Sequence, residues 1–293
     1  MSDESLIVKR LARRSFERAA ATYDAAAVLQ NEVCERMLAR LEYVKLSPVM
    51  VLDAGAGTGN ALPGLMRRFP RTRVIALDVA RAMLQRAGKR IAPWERLVLR
   101  RAAPVRLCAD IERLPLAEAC VDLAWSNLAL QWVNDPARAF AELRRVLAPG
   151  GLLMFSTFGP DTLGELRAAY RGTDNRTHVN RFIDMHDIGD MLVHSGFADP
   201  VMDMERVTLT YADVRELMRD LKAIGAHNVT QGRPPGLSGK SRIATVARNY
   251  EALRREGRLP ATFEVVYGHA WKPLPRVSTT GRPVIDIKPT GQR

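Results

Sequence analysis

The stretch VLDAGAGTGN, residues 51–60, sets Gly55, Gly57 and Gly59 at alternate positions behind an apolar run and one acid, Asp53. Glycines so spaced at a strand end let bare backbone approach a ligand, the arrangement of a nucleotide cradle. A dinucleotide fingerprint needs a third glycine where Asn60 stands, so the loop departs from the hydride-transfer pattern. Acids follow at spacings that suit the rest of a nucleoside. Asp78 closes RVIALD, 19 residues after Gly59, where a carboxylate can accept hydrogen bonds from both ribose hydroxyls. Asp110 with Ile111 follows the next apolar run and can hold an adenine, the acid on its amino edge and the aliphatic chain on its face. Asn127 ends CVDLAWSN, on the opposite side of the ligand. Each of these residue types also serves as an ordinary cap or turn former. Their meaning lies in falling together at consecutive strand ends, where open α/β sheets bind ligands.

The elements that must position them are legible from periodicity. Residues 6–45 read as helix with a break near Tyr23, and Pro48 closes the segment. Strands are predicted at VMVLDAG, RVIALD (73–78), PVRLCAD (104–110), CVDLAWSN (120–127) and GLLMFSTF (151–158), with helices at 81–91 and 136–147 between them. Continuous apolar strands alternating with helices mean a parallel sheet covered on both faces. After Phe158 the rhythm changes: a helix in GPDTLGELRAAYRG, a loop and helix in NRFIDMHDIGDMLVHSGF, a strand at 201–211, helices near 213–225 and 239–256, and a last strand, ATFEVVYGHAW. Residues 272–293 read as a loose tail.

Composition excludes several classes. A chain of 293 residues with 47% hydrophobic and 26% charged residues is of globular type. No run approaches the roughly 18 apolar residues of a membrane span, and the N-terminus has no apolar signal core. Cys34, Cys108 and Cys120 form neither a CxxC pair nor a disulfide framework, which points to a reducing cytoplasm. The 5 histidines show no metal-ligand spacing, His178 and His186 lying eight apart. A net charge of +12 favours an acidic partner, yet the arginines are dispersed, without the basic block of a nucleic-acid groove.

VLDAGAGTG, ALD and DIERLPL…DLAWSNLALQW resemble the class I S-adenosylmethionine-dependent methyltransferases over residues 50–158. The resemblance implies a seven-stranded, doubly wound, mostly parallel Rossmann-like sheet with an N-terminal helical flap (1–47). It also implies a methyltransferase domain (48–271) with helical cap insertions near 159–190 and 212–258. It places Asp53, Gly55, Gly57 and Gly59 around the methionine moiety, Asp78 on the ribose, Asp110 and Ile111 on the adenine, and Asn127 near the transferable methyl.

The flanks RAAATYDAAAVLQ, SNLALQWVND, NRFIDMHDI and LKAIGAHNVTQGR, with GRLPATFEVVYGHAWK, are similar to the malonyl-acyl-carrier-protein O-methyltransferases that open pimeloyl synthesis for biotin. FGPDTLGELR and LPATFEVVYGHAWK look equally like a relative that hydroxylates an arginine and assists assembly of respiratory complex I. The first resemblance implies esterification of the free carboxyl of a malonyl thioester on acyl-carrier protein, in a cytoplasmic monomer. A carboxylate with a reference pKa near 4 is already ionised at neutral pH and needs no general base. It needs positioning. Arg181 of NRF is the candidate anchor, and Tyr23 the candidate that meets the sulfonium or the acceptor. Phe16 and Trp132 are read as core, and Arg215, Arg219, Arg242 and Arg248 as contacts for the acidic carrier.

Overall fold

The structure, a computed structural model, describes residues 6–91, 103–174, 176–226, 228–231 and 240–275. The predicted tail therefore lies, from residue 276 on, outside the described residues. Seven strands form one sheet: β1 (Met50–Ala54), β2 (Arg73–Asp78), β3 (Val105–Cys108), β4 (Val121–Asn127), β5 (Leu147–Phe158), β6 (Ala198–Tyr211) and β7 (Leu259–Trp271). Their order is β3-β2-β1-β4-β5-β7-β6. The first five are parallel, and β7 runs antiparallel between β5 and β6. The chain reverses its direction of winding between β1 and β4, and a crevice opens there at the strands' C-terminal ends, where such sheets hold ligands.

The central strands are apolar on both faces, Val51, Leu52, Leu123 and Ala124 being fully buried, because helices cover both sides. The N-terminal helical pattern resolves into α1 (Lys9–Ala19), α2 (Tyr23–Ala26) and α3 (Val28–Leu41). On α3, Leu29, Val33, Met37 and Leu41 return at helical intervals and join one buried cluster with Val51, Leu65, Leu123 and Trp125. Arg40 fixes the far end of α3, bonding Asp203 of β6 at 2.7 Å and lying over the Tyr267 ring of β7 at 3.9 Å. The remaining helices are α4 (Leu62–Arg68), α5 (Arg81–Ala87), α6 (Pro136–Val146), α7 (Gly164–Tyr170), α8 (Met185–His194), α9 (Val214–Ala223) and α10 (Lys240–Glu251). Asp135, Asp184 and Asp213 cap α6, α8 and α9 through their side chains, and Pro136 opens α6.

Two elements differ from the periodicity reading. The helix sought in GPDTLGELRAAYRG begins only at Gly164, because residues 159–163 turn back to bond β7: Gly159 N–H to Glu264 O at 2.9 Å and Leu163 N–H to Thr262 O at 2.7 Å. β5 starts at Leu147, so APGG lies within the strand rather than before it.

Met37→Ala should destabilise the protein by about 2–5 kcal/mol, the range for emptying a closed core site. Val28→Ala, on the exposed side of the same helix, should cost less than about 0.5 kcal/mol. Urea midpoints with unchanged slope would check both, and equal costs would mean that α3 is not part of the core.

Candidate active site

The loop after β1 sits tightly against its surroundings. Gly55, Gly57 and Gly59 have φ of 87°, 54° and 82°, a region that side chains avoid. Gly55 and Ala56 donate their N–H groups to Leu77 O, both at 2.8 Å, which hooks the loop onto β2. A Cβ at Gly55 would stand 2.2 Å from the Ala129 methyl, and one at Gly59 2.7 Å from Leu62 Cδ1.

Asp78, at the end of β2, holds the loop from the other side. Its Oδ2 accepts from Gly57 N–H at 2.9 Å and its Oδ1 from Ala80 N–H at 2.8 Å. Burial pushes the Asp78 carboxyl up to about 6, although these backbone N–H groups favour its anion. Asp53 lies behind the loop, 2% exposed, with its Oδ2 shut from solvent and without a hydrogen-bond partner. Burial first, and then the charge of Asp78, push Asp53 up to about 8. Burial, then Asp53, likewise pushes the Cys34 thiol up to about 12.

A cavity of about 1050 Å³ opens in front of this loop. Gly55, Gly57, Asp78, Asp110, Ile111 and Asn127 line it, as does Tyr23. Asp53 and Gly59 are not on its wall: the first stands behind the loop, and the second packs against α4 and α5. Arg181 is exposed and off the wall, while Asn180 and Phe182 on either side are on it. The side chain of Asn127 is engaged within the protein, donating to Gln30 O at 3.0 Å and accepting from Ser156 Oγ at 2.9 Å. It ties α3 to the sheet beneath the ligand space. Burial, with Asp78 and Asp24 nearby, holds the Tyr23 hydroxyl well above the ordinary tyrosine range, so it remains a neutral donor.

The structure adds residues that sequence reasoning missed. Lys9 on α1 reaches Asp110 at 2.5 Å and Glu112 at 2.7 Å, so the acid expected to meet the adenine is already paired. Burial works against the Lys9 ammonium, but these two acids outweigh it and raise its pKa above the ordinary lysine value. Glu17, eight residues on, accepts from Arg81 and Ala82 N–H groups at 2.7 and 2.9 Å, capping α5 beside Asp78. Asp24 bonds Thr58 of the glycine loop at 2.5 Å and Arg90 at 2.7 Å. Phe16 and Trp132, read as core, both line the cavity, their rings edge to face at 5.0 Å. The spacing of Lys9, Ala12, Arg13 and Phe16 marks one helix face, but spacing does not say whether that face meets a core or a cavity.

These residues fit a nucleoside that carries positive charge. A buried carboxyl, Asp53, and a half-buried one, Asp78, both with raised pKa values, flank a loop of bare backbone, and one Asp53 oxygen lacks any donor. Among the described residues no His/Cys/Asp/Glu group suits a metal. Sheet order, glycine loop and strand-end acids define the class I S-adenosylmethionine-dependent methyltransferases.

Comparison narrows the class. Residues 52–155 match the family model described as a methyltransferase domain. A malonyl-[acyl-carrier protein] O-methyltransferase of Gallionella capsiferriformans is 59% identical over 284 residues, covering 97% of each chain. Its counterpart in Nitrosospira multiformis is 58% identical over 284 residues, covering 94% of this chain and 92% of its own. The YcgJ protein of Bacillus subtilis shares the fold at 14% identity, with a TM-score of 0.57 over 83% of this chain and 98% of its own. The chain belongs to the malonyl-[acyl-carrier protein] O-methyltransferase family, and S-adenosylmethionine is its methyl donor. These relatives lend no support to the arginine-hydroxylase reading.

Gly55→Ala should weaken binding of S-adenosylmethionine by at least about a hundredfold, since it adds both an overlap and an unfavourable φ. Calorimetric titration checks this, and a change below threefold would refute the fit. Asp53 and Asp78 hold protons more tightly when folded, so the ligand-free chain loses stability as pH rises from about 4 through 6 to 8. A cationic ligand favours their anions, so its binding should release protons at pH 7, and its affinity should climb with pH through both values. Titration in buffers of different ionisation enthalpy reads the proton count, and Asp53→Asn should lower it.

Proposed function

We propose that the protein transfers the methyl of S-adenosylmethionine to the free carboxyl of a malonyl thioester borne by acyl-carrier protein, giving the methyl ester that starts pimeloyl synthesis. The observation that carries this reading is the identity of 59% to a relative of that name across 97% of both chains. The site's chemistry supports it. When bound, the donor supplies a methyl on a cationic sulfur, and the acceptor carboxylate needs no help to ionise.

The chain's own residues therefore exclude water and set direction. Phe16 and Trp132 close the α1 side of the cavity, and Tyr23 offers a neutral hydroxyl that can hold a carboxylate without neutralising it. A cation clamped on that carboxylate would stabilise the separated charges more than the transition state, in which opposite charges cancel. Arg181 accordingly acts from the rim. It lies near enough to Arg167 to help depress that guanidinium's pKa, behind the effect of burial, and this positive cluster attracts the acceptor's anionic end.

The carrier protein is acidic, and the cavity mouth is basic: Arg10, Arg13 and Arg18 of α1 and Lys222 of α9 line it. Arg215, Arg219 and Arg248 stand exposed nearby in sequence, as a carrier contact requires. Arg242 is half-buried and pairs with Asp174 at 2.9 Å, so it is less free than these three for such a contact. A monomer working in the cytoplasm completes the proposal. No described helix is long and apolar enough to cross a membrane.

Labelled methyl donor with malonyl-acyl-carrier protein should place base-labile label on the carrier, and failure to label any malonyl thioester would overturn the reading. Tyr23→Phe should lower kcat by about tenfold or more, in line with loss of one positioning bond. Arg181→Ala should raise the acceptor KM severalfold in a salt-dependent way, with cofactor affinity intact.

A further inference from the structure

The half of the cavity away from the glycine loop belongs to the segment after β5. Leu163, Leu166, Val179, Phe182 and Phe263 give it apolar walls, and Phe158 meets Phe182 with ring centroids 5.6 Å apart. Within this apolar half sits one uncommitted amide. Asn180 lines the cavity, and its Oδ1 is closed off from solvent with no hydrogen-bond partner. A buried acceptor left unmet costs on the order of 1–3 kcal/mol, so such a group on a cavity wall calls for a donor that a ligand can supply.

The backbone around it is rigidly held. The His178 ring stacks on Tyr170 at 3.8 Å, and its Nε2 lies 2.7 Å from Asp174 Oδ1. Arg242 of α10 reaches the other Asp174 oxygen at 2.9 Å. Asn228 donates its side-chain N–H to Thr177 O. These bonds, from α7, α10 and the segment after α9, fix the chain on the N-terminal side of Asn180 and leave its own side chain unengaged. An asparagine's terminal torsion is soft, so a small turn brings Oδ1 to a ligand without disturbing that frame.

An amide presents a donor and an acceptor side by side. A carboxylate has only acceptors and leaves Oδ1 unmet, whereas a secondary amide brings an N–H from which Oδ1 can accept. Acyl groups on carrier proteins hang from a pantetheine-type arm, whose chain contains secondary amides. The cavity, at about 1050 Å³, is at the upper end of ordinary ligand pockets and has room for such an arm beside the nucleoside. From this geometry we infer that Asn180 is a subsite for the acceptor's arm, its side chain pairing with a secondary amide of the chain that carries the malonyl thioester. The inference rests on the acceptor class proposed above. It puts length selection in the arm and leaves the reacting carboxylate to the Tyr23 side.

The test compares acceptors and variants together. The acceptors are malonyl-pantetheine, an analogue whose arm has ester linkages in place of the amides, and the malonyl thioester of plain butanethiol. Asn180→Leu should lower kcat/KM about tenfold or more on malonyl-pantetheine, through KM, and less than twofold on the ester-arm and butyl acceptors. The wild type should show the same preference between arms that the variant loses. Affinity for S-adenosylmethionine, read by calorimetry, should not change. An equal loss on all three acceptors, or no loss on any, would overturn the subsite while the wild type's activity leaves the acceptor class standing. A wild type inactive on every malonyl thioester would overturn the acceptor class and the subsite with it.

Discussion

Two carboxyl groups, the buried Asp53 and the half-buried Asp78, stand at the ends of adjacent parallel strands, and the local architecture follows from keeping them there. Taking a carboxylate out of water is costly, which is why both acids hold their protons to unusually high pH, with the charge of Asp78 adding to the effect at Asp53. Asp78 is stabilised by backbone: its two oxygens collect the N–H groups of Gly57 and Ala80, so the same bonds that satisfy the acid shape the loop and start α5. Asp53 has one oxygen left over. The fold thus keeps a demand for positive charge at this place, with Asp78 on the cavity wall and Asp53 behind the loop.

Around that demand α1 works as a strap rather than a separate module. Lys9 grips the acids after β3, Glu17 caps the helix after β2, and the backbone of Ile7 exchanges two hydrogen bonds with Asn134, at 2.8 and 2.9 Å. Asp24 on α2 adds a bond to the glycine loop itself. Every anchor falls on an element that also carries a ligand-facing residue. α3, by contrast, is mostly core, with Gln30 alone of its residues on the cavity wall.

How much of this was legible follows from how local each signal is. Gly55, Gly57 and Asp78 on the cavity wall could be read because strand ends, turn conformations and acids leave their mark within a few neighbouring residues, but that Asp53 and Gly59 stand behind it could not. The parallel sheet was equally plain from its apolar runs. Lys9 was not, because its meaning depends on Asp110, 101 residues away. The helical spacing of Phe16 shows a face without saying what the face meets. Arg181 and Asn180 sit in irregular chain, where no period tells which of two neighbours turns inward. There the guanidinium attracted notice on chemical grounds, while the side chain on the wall is the smaller amide beside it. The ion pair of Arg242 was equally hidden, since nothing local announces Asp174 as its partner.

The contact between Gly55 and Ala129 reaches beyond geometry to the history such a loop can have. A methyl gained at 55 could be accommodated in volume only by a methyl lost at 129, since 2.2 Å leaves nothing to share. Even that exchange would not relieve a side chain at φ +87°. Repair at a second position therefore cannot restore the first. Gly55 is already at the smallest size a residue can have, so drift has no compensated path through this pair, whatever happens to the acceptor side of the cavity.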